Sequence, residues 1–363
     1  MTLITFQSRI HFASDVLEEA LRAELEESQH RKVLLVADAD KVNRQMMERV
    51  QIGMPDSVWR DMVWVNGEHT KYDTAALALG HDSEGPLDAI VACGSARAIA
   101  HGRKCRHAVA QARHAELSEK DRRVKRARSF LPDFFAIPGV DGLPDPCMAS
   151  GATAGEKTMP PNVIICDPSI LAGSKHADVA NAFAISLGRC LATFGGSSFN
   201  PLADGMAVEG LRRLAMTLPL LPDDGLMSTK SRDLMAASLN GSISQQKGPG
   251  LVQAIADALT RLTHGDVDSG SLQRILLPRL LRDLKLISGT EEALVMRVLD
   301  TGSNTPLSES VERMLDPLPL NRSLREMGYA LADVQRAVSD ARARVHVPDP
   351  VARRLNTIVE EVY

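Results

Sequence analysis

The chain has 363 residues, which at about 150 residues per domain favours two domains with room for a sizeable core. Its 44% hydrophobic and 24% charged residues are typical of a globular protein and exclude disordered, collagen-like and disulfide-stapled chains. A net charge of -4 and only 4% aromatic residues argue against a surface that stacks nucleobases. No apolar run approaches about eighteen residues and the N-terminus lacks the features of a secretory signal, so we expect a cytoplasmic protein without membrane segments.

The first half alternates short apolar runs with helical patterns. Amphipathic stretches over 15–27 and 70–79 separate some of the runs. Strands that alternate with helices indicate a parallel sheet, because parallel neighbours need a long return connection. We therefore predict a Rossmann-like α/β domain over residues 1–170, with strands at 32–37, 62–65, 88–92, 134–137 and 163–166.

After Pro168 the β-branched runs almost vanish, and Leu, Ala, Met and Arg recur at helical spacing. Local stop and start signals separate the stretches, as at 195–198 and 222–225. We predict an all-helical domain over residues 171–363. Its helices are expected at 178–191, 201–217, 228–239, 250–262, 272–286, 291–299, 307–315, 330–344 and 349–362.

Two short features of the first half suit a dinucleotide. Gly94 and Ser95 follow a predicted strand and open a helical stretch, where free backbone N–H groups favour a phosphate. Asp38 ends another strand, the placement of a carboxylate that accepts from a ribose hydroxyl and favours NAD over NADP. Plain turn chemistry at Gly94, and an N-cap role for Asp38 in the helix that begins near Lys41, are the structural alternatives.

A basic segment covers residues 97–128, with 11 Lys or Arg against 3 Asp or Glu. Such a run is usually a solvated helix face. Its excess of positive charge in an otherwise acidic chain would also attract an anionic ligand or dock an acidic protein partner. Without interleaved aromatic residues it does not indicate nucleic-acid binding.

The ten histidines do not form a metal-binding motif, since no two of them are spaced as H-x-x-x-H. His176 and His264 are the only histidines between residues 115 and 345. A catalytic divalent ion needs about three converging protein ligands, and the helical half has too few histidines to supply three. Its carboxylates, such as Asp257 and Asp268, are more typical of exposed or capping acids.

Several segments together resemble the iron-containing (group III) alcohol dehydrogenase family and its maleylacetate reductase branch. The strand into Gly94 and Ser95 looks like the family's GGGS turn. Residues 136–138 are similar to its IPTT segment, and 165–168 to its strand that ends in DP. In the second half, similar segments are 200–212 (NP-x-x-x-x-x-A-x-EGIR), 250–254 (GLVHA) and 275–278 (AILLP).

The resemblance implies a dehydroquinate synthase-like architecture, in which a dinucleotide-binding α/β domain precedes a helical domain. It also implies hydride transfer between a nicotinamide cofactor and an alcohol or carbonyl substrate. Metal-dependent members hold iron or zinc with an Asp and three His, and the ion polarises the substrate oxygen.

The implied ligand positions carry other residues in this sequence. The Asp and His four apart become Ala177 with Asn181 or, in the other register, Asp178 with Ala182. The GLVHA histidine becomes Gln253. The last ligand falls on Ser269, and only a shifted register would replace it by His264. Neutral Asn, Gln and Ser are poor ligands for a first-row divalent ion, so we predict no catalytic metal.

The cofactor motif also departs from the family. Ala92 and Cys93 replace two glycines of the phosphate turn, and their side chains are expected to crowd a backbone that must approach a pyrophosphate. After residues 137–138 the family has a threonine-rich stretch, but residues 139–146 of this sequence contain no threonine. The resemblance implies NAD(H) binding through Asp38, Gly94 and Ser95, and these departures argue against it.

Two functions remain open from the sequence. The first is a metal-independent NAD(P)-dependent oxidoreductase, in which Asn181, Gln253, Ser269 or a helix N-terminus polarises the carbonyl of a small activated substrate such as a keto acid. The second is a non-catalytic scaffold or regulatory partner protein that keeps the fold and docks through the basic segment. A homodimer is compatible with both.

Overall fold

The computed structural model describes residues 8–41, 44–65, 86–119, 130–145, 160–196, 198–217, 228–263, 267–287, 289–300, 305–345 and 349–363. The chain forms two compact units. The helical unit runs from Ala172 to Tyr363, and the sheet unit consists of Phe6–Ala152 and Glu156–Leu171. The helix expected over 70–79 lies outside the described residues.

A six-stranded parallel sheet is the centre of the sheet unit. Its strands follow the spatial order β1-β6-β5-β4-β2-β3, and all neighbours are parallel. The central strands are buried along nearly their whole length, which explains their continuous apolar runs. The parallel-sheet prediction is confirmed, and the strands are β1 Arg9–Phe12, β2 Lys32–Asp38, β3 Trp59–Val65, β4 Ala89–Gly94, β5 Asp133–Pro138 and β6 Val163–Cys166.

The edge strand β1 was not expected from the sequence. Its four residues pair with β6, from Arg9 beside Val163 to Phe12 beside Cys166. The side chains of Arg9 and His11 both contact Glu24. Its Oε1 lies 3.0 Å from Arg9 Nε and 2.7 Å from His11 Nε2. Its sequence Arg-Ile-His-Phe alternates polar and apolar residues, but a run of only four residues is a weak strand signal.

Three helices belong to the described part of the sheet unit: α1 Leu17–Glu27, α2 Arg44–Gly53 and α3 Ala96–Ala115. Helix α3 is the helical stretch that the sequence predicts after Gly94 and Ser95, and it is 20 residues long. Gly102 lies in its middle because a Cβ there would come within 2.9 Å of Ala92 Cβ and 2.8 Å of the Phe134 ring. The glycine lets α3 lie close against β4 and β5.

Asp167, directly after β6, joins three parts of the sheet unit. Its carboxylate accepts the N–H groups of Asp15 and Leu17 at 2.9 and 3.1 Å, and it receives Arg49 Nη2 at 2.7 Å. Burial raises the pKa of Asp167, but hydrogen bonds from Ser169 and the backbone outweigh it and hold the pKa below its usual range. The family-like DP segment is therefore a structural junction that fixes the start of α1.

The helical unit contains nine described helices, and their positions follow the apolar periodicity of the second half. The largest differences are at the ends of α6 and α4, which continue five and four residues beyond their expected ends. Helix α8 begins three residues before its expected start because Asp268 caps it by accepting the Ser271 N–H at 3.0 Å. Within the described ranges no helix is both long and apolar enough to cross a bilayer. The helices are α4 His176–Gly195, α5 Pro201–Thr217, α6 Ser228–Ser244, α7 Leu251–Thr263, α8 Ser269–Leu284, α9 Gly289–Val298, α10 Leu307–Leu315, α11 Leu331–Arg344 and α12 Asp349–Glu361.

Candidate functional site

The sheet topology brings Asp38, Gly94 and Ser95 together. Strand β2 ends at Asp38 and the adjacent strand β4 ends at Gly94. The strand order reverses between them, since β3 follows on the far side of β2 while β5 and β6 follow on the far side of β4. Doubly wound sheets bind dinucleotides at the carboxyl edge of such a switch point. The three residues therefore occupy the place at which the fold favours a nucleotide.

The turn after β4 has a conformation that requires glycine. Gly94 has φ of +96°, a region that side chains with a Cβ rarely adopt. Ser95 is the N-cap of α3, and its Oγ accepts the Ala98 N–H at 3.1 Å. The helix thus begins at the switch point, where its N-terminal dipole and its first free N–H groups favour an anion.

Asp38 is held by protein groups in the structure. Ser95 Oγ donates to Asp38 Oδ2 at 2.8 Å, and Arg97 Nε lies 3.3 Å from the same oxygen. The other oxygen, Oδ1, accepts the Asp40 N–H at 3.0 Å, and the residue has no exposed surface. Asp38 therefore links the end of β2 to the first turn of α3, and a ribose contact would require one of these bonds to open. The Asp40 bond forms a turn, which differs from the helix N-cap that the sequence offered as an alternative.

The segment after β5 lies directly against the Gly94 turn. Gly139 N–H donates to Gly94 O at 2.9 Å. A short 3-10 turn over Val140–Gly142 follows, and a Cβ added at Gly142 would come within 2.3 Å of Gly94 O. This stretch replaces the threonine-rich segment of the family. In this chain, its two glycines allow it to pack backbone to backbone on the turn.

We expect Gly142→Ala to lower the free energy of unfolding by about 1–3 kcal/mol, because the new methyl group and Gly94 O cannot both keep their positions. Urea unfolding followed by circular dichroism measures the change. Gly205→Ala is the matched control, since Gly205 lies in α5 and has no atom within 4 Å of an added Cβ. An unchanged midpoint for Gly142→Ala would contradict the described packing.

Ala92 and Cys93 do not crowd the turn as the sequence suggested. Ala92 is directed toward Gly102 on α3, and Cys93 Sγ lies 3.6 Å from Met47 Sδ on α2. Both residues are fully buried in β4. The two side chains fill the core beneath the turn, so the bulk that distinguishes them from glycine is accommodated on the faces of the sheet.

In the helical unit, Asn181 and the first turn of α8 meet. Asn181 Oδ1 accepts the Gly270 N–H at 2.7 Å, and a Cβ at Gly270 would lie within 2.3 Å of that oxygen. Because a backbone N–H can only donate, the bond fixes which end of the amide faces α8. The Nδ2 group is left as the donor end of Asn181.

Ser269 is the residue before Gly270 and lies beside the same contact. Its Oγ is 3.4 Å from Val267 O, a long hydrogen bond to the preceding loop. Asp268 and Ser271 form a tighter capping network with Asn321, whose N–H donates to Ser271 Oγ at 2.8 Å. The structure thus brings two of the three predicted catalytic positions, Asn181 and Ser269, to the start of α8.

Gln253 makes different contacts. It lies in the first turn of α7 and is 6% exposed. Its Nε2 donates to Asp257 Oδ1 at 2.8 Å, and Arg189 Nη2 approaches its Oε1 at 3.4 Å. Arg189 lies two helical turns beyond Asn181 on α4, so Gln253 belongs to a polar group further along that helix.

The donor set at the implied ligand positions does not fit a first-row divalent ion. Asn181, Gln253 and Ser269 offer amide and hydroxyl oxygens, and the amide oxygens already accept from Gly270 and Arg189. Among the described residues, no group of three or more His, Cys, Asp or Glu is arranged to hold a metal. His264, the candidate of the shifted register, lies outside the described residues.

The described part of the basic segment, residues 97–119, lies largely on α3 and its arginines turn inward. Arg103 and Arg106 are each 4% exposed. Arg106 donates to Pro132 O at 2.9 Å and to Asn162 Oδ1 at 2.6 Å, and Arg103 and Arg113 also donate to backbone carbonyls. Burial lowers the pKa of Arg106 to about 10, so it stays charged at neutral pH. The prediction that the basic segment forms a solvated helix face is therefore wrong for these arginines. Residues 120–128 lie outside the described residues.

Sequence reasoning missed Arg97 and Arg189. Arg97 contacts Asp38, and Arg189 contacts Gln253 from within a helix that is otherwise mostly apolar at its centre. A charged residue among buried helix positions is the signal that points to Arg189, because an arginine is rarely buried without polar partners. Arg97 was counted within the basic segment, which hid its individual contact.

The sequence and the fold were compared with those of known proteins. No family model matches the sequence. The 4-hydroxybutyrate dehydrogenase of Cupriavidus necator is 27% identical over 175 residues, a segment that covers 46% of this chain and 46% of that protein. This chain thus matches less than half the length of its curated relative.

Solved structures match over nearly the whole chain. The iron-containing alcohol dehydrogenase of Thermococcus thioreducens has a TM-score of 0.78 at 17% identity and covers 99% of this chain and 100% of its own. The maleylacetate reductase of Agrobacterium tumefaciens has a TM-score of 0.71 at 15% identity and covers 100% of this chain and 97% of its own. The chain has the fold of the iron-containing alcohol dehydrogenases, which confirms that resemblance at the level of the fold.

Proposed function

We propose that this protein is an oxidoreductase that transfers a hydride between a nicotinamide cofactor and a small carbonyl or alcohol substrate, without a catalytic metal. The observation that carries the proposal is the switch point, where Asp38, Gly94 and the N-cap Ser95 meet at the start of α3. The fold and the names of the similar proteins, which are dehydrogenases and reductases, support the same class.

The residues of the switch point fit the diphosphate of a dinucleotide. The start of α3 offers backbone N–H groups, and Arg97 adds a guanidinium that is partly exposed beside them. Asp38 serves this site as a positioning residue, since it holds both Ser95 and Arg97. The nearby Arg97 also fits a ribose phosphate, so NADP(H) is included with NAD(H).

In the reductive direction, the carbonyl carbon gains a hydride, the carbonyl oxygen takes a proton from solvent water, and the nicotinamide is oxidised. A bound reduced nicotinamide supplies the hydride. In this proposal Asn181 Nδ2 donates a hydrogen bond to the substrate oxygen, and the Gly270 contact keeps the amide oriented for that role. Gln253 has both ends of its amide engaged and holds Arg189 and Asp257 in place.

The substrate class follows from the chemistry and from the curated relative. A neutral amide donor stabilises an oxyanion less than a divalent ion does, so the carbonyl must be intrinsically reactive. The relative acts, by its name, on 4-hydroxybutyrate, which carries a carboxylate. We therefore propose a small hydroxy or oxo acid as the substrate.

Binding of the cofactor is the first test. Saturating NAD+, NADH, NADP+ or NADPH is expected to raise the melting temperature by a few degrees, because a ligand that binds only the folded state stabilises it by mass action. Thermal unfolding and NADH fluorescence measure this with the purified chain. ATP at the same concentration is the control for a general effect of anions. No response to any of the four nucleotides contradicts the oxidoreductase.

Metal independence needs its own measurement. The protein purified without chelator is expected to contain iron and zinc far below one atom per chain, and dialysis against EDTA should leave its activity unchanged. Elemental analysis decides this. Stoichiometric metal, or activity that EDTA removes and added metal restores, would overturn this part of the proposal.

A second candidate function is a non-catalytic scaffold or regulatory partner protein. The observation that favours it is that Asp38 is not available to a ribose. Both its carboxylate oxygens have protein partners, and the residue is fully buried. This candidate places an anionic ligand or acidic partner on the basic segment 97–128. It predicts no binding of the four nucleotides, so the cofactor titration separates the two candidates.

A further inference from the structure

The helical unit contains a cavity of about 400 Å³. It lies between the C-terminal half of α4, the first turn of α7 and the C-terminal half of α8. All its lining residues fall between 188 and 345, within the helical unit. Its size is in the range of pockets that hold small organic ligands.

The charged residues that line the cavity are all cationic: Arg189, Lys247 and Arg344. Arg189 is 2% exposed, and its Nη2 approaches Gln253 Oε1. Lys247 Nζ is 2.8 Å from Asp204 Oδ1, and Arg344 Nε is 3.9 Å from Asp340 Oδ2, but neither carboxylate belongs to the lining. A wall with cations and without acids favours an anionic ligand.

Two glutamines of the lining carry buried amide oxygens without a hydrogen-bond partner among the described residues, Gln245 Oε1 and Gln273 Oε1. Gln273 is only 2% exposed. A buried polar atom left unpaired costs free energy, so each amide calls for a partner inside the cavity. The Gln245 amide is fixed, because its Nε2 donates to Arg189 O at 2.9 Å. Rotation of the Gln273 amide would present its NH₂ group to a ligand oxygen.

The first turn of α7 also opens on the cavity. Gly250, Leu251, Val252 and Gln253 all line it, and Ala254 N–H donates to Gly250 O at 3.0 Å, which marks Gly250 as the N-cap. Glycine has no side chain to accept the N–H groups of the first turn. The positive end of a helix dipole therefore faces the same space as Arg189 and the glutamines.

The rest of the wall is apolar. Leu277, Leu281 and Leu284 of α8 contribute, followed by Leu286 and Ile287. An inorganic anion would leave this surface without a partner, whereas a ligand with a hydrocarbon body removes it from water. The lining thus combines anion-binding groups with a surface for an apolar chain.

We propose that this cavity is a binding site for small organic carboxylates with a hydrocarbon body. The carboxylate contacts the polar group formed by Arg189, Lys247 and Gln273, and the hydrocarbon body lies against the leucines of α8. The proposal does not require hydride transfer or a nicotinamide cofactor, because all its residues belong to the helical unit.

Isothermal titration calorimetry of the full chain, without nucleotide, tests the proposal with hexanoate as the probe. Hexanoate is expected to bind, while hexanamide, which lacks the charge, and inorganic phosphate, which lacks the hydrocarbon body, bind at least about tenfold more weakly. Equal affinity for phosphate or for hexanamide would overturn the stated ligand class. Binding that occurs only when a nicotinamide nucleotide is present would assign the carboxylate to the proposed reaction and overturn a separate site.

Two variants locate the site. Lys247→Met removes a cation of the lining, and Gly188→Ala displaces the Gln273 amide, since the added Cβ would fall 2.1 Å from Gln273 Oε1. Each is expected to weaken hexanoate binding about tenfold. Lys175→Met, at an exposed lysine before α4, and Gly205→Ala are the matched controls and should bind as the unaltered chain does. Circular dichroism establishes that each variant is folded, and wild-type affinity in Lys247→Met would refute the assigned position.

Discussion

If the proposed hydride transfer takes place, Asn181→Asp is expected to lower its kcat/KM about 100-fold, assayed with NAD+ and a small hydroxy acid, while leaving stability nearly unchanged. The carboxylate of aspartate still accepts the Gly270 N–H, so the contact between α4 and α8 persists. It has no N–H with which to stabilise the substrate oxygen, and loss of one such donor costs a factor of about 100–1000 in rate. Absorbance of NADH and thermal unfolding measure the two quantities on the same samples.

Asn200→Asp is the matched control for that variant. Asn200 caps α5, where its Oδ1 accepts the Ala203 N–H at 3.1 Å, and aspartate is as good an N-cap as asparagine. The same chemical change in the same unit should therefore leave kcat/KM unaltered. Asn181→Ala is expected to lose both activity and about 1 kcal/mol of stability, because Gly270 N–H then lacks its acceptor. Full activity in Asn181→Asp would remove Asn181 from the catalytic role.

Asp167→Ala is expected to lower the free energy of unfolding by about 3–5 kcal/mol, the largest stability effect that we predict. The substitution leaves the N–H groups of Asp15 and Leu17 without their acceptor and takes a carboxylate from Arg49 in a fully buried position. Urea unfolding at neutral pH measures the loss. Glu48→Ala is the control, because its ion pair with Arg44 is exposed and contributes less than about 1 kcal/mol.

The same residue predicts a pH dependence. The pKa of Asp167 is lowered in the folded protein, so its stabilising contribution is present above the unfolded pKa of about 4 and is lost as the pH falls further toward the folded pKa. Between neutral pH and about pH 3, the unaltered chain should therefore lose more unfolding free energy than Asp167→Asn does. Parallel curves for the two proteins would show that Asp167 is not a source of acid lability.

The arginines of α3 show how charge counting and structure diverge. The run from 97 to 128 indicates a single basic surface when its charges are summed. In the structure, Arg97 pairs with Asp38, and Arg106 and Arg113 bind backbone carbonyls at the ends of strands and loops. A guanidinium with several donors can satisfy carbonyls that no helix or sheet reaches, which gives these residues a structural use that charge summation cannot reveal.

By itself the sequence determined the class of the fold and the edge of the sheet at which Asp38 and Ser95 lie. The buried runs that became β2, β4, β5 and β6 are continuous because both faces of a parallel sheet are covered. Asp38 ends one strand and Ser95 follows the end of another, so local pattern and strand direction put both at the carboxyl edge of the sheet, while the sheet order shows that the two strands are neighbours. The helices of the second half followed from apolar periodicity in the same way.

Only the tertiary structure decided which partner each polar side chain has. Asp38 contacts Ser95 and Arg97, Asn181 accepts the Gly270 N–H, and Gln253 contacts Arg189, although each pair is separated by more than 50 residues in sequence. Periodicity reports which face of an element is buried, but hydrogen bonds between elements depend on distances set by the packing of the whole unit. The same reason hid the cationic cavity, whose walls come from separate helices and exist only once these have packed.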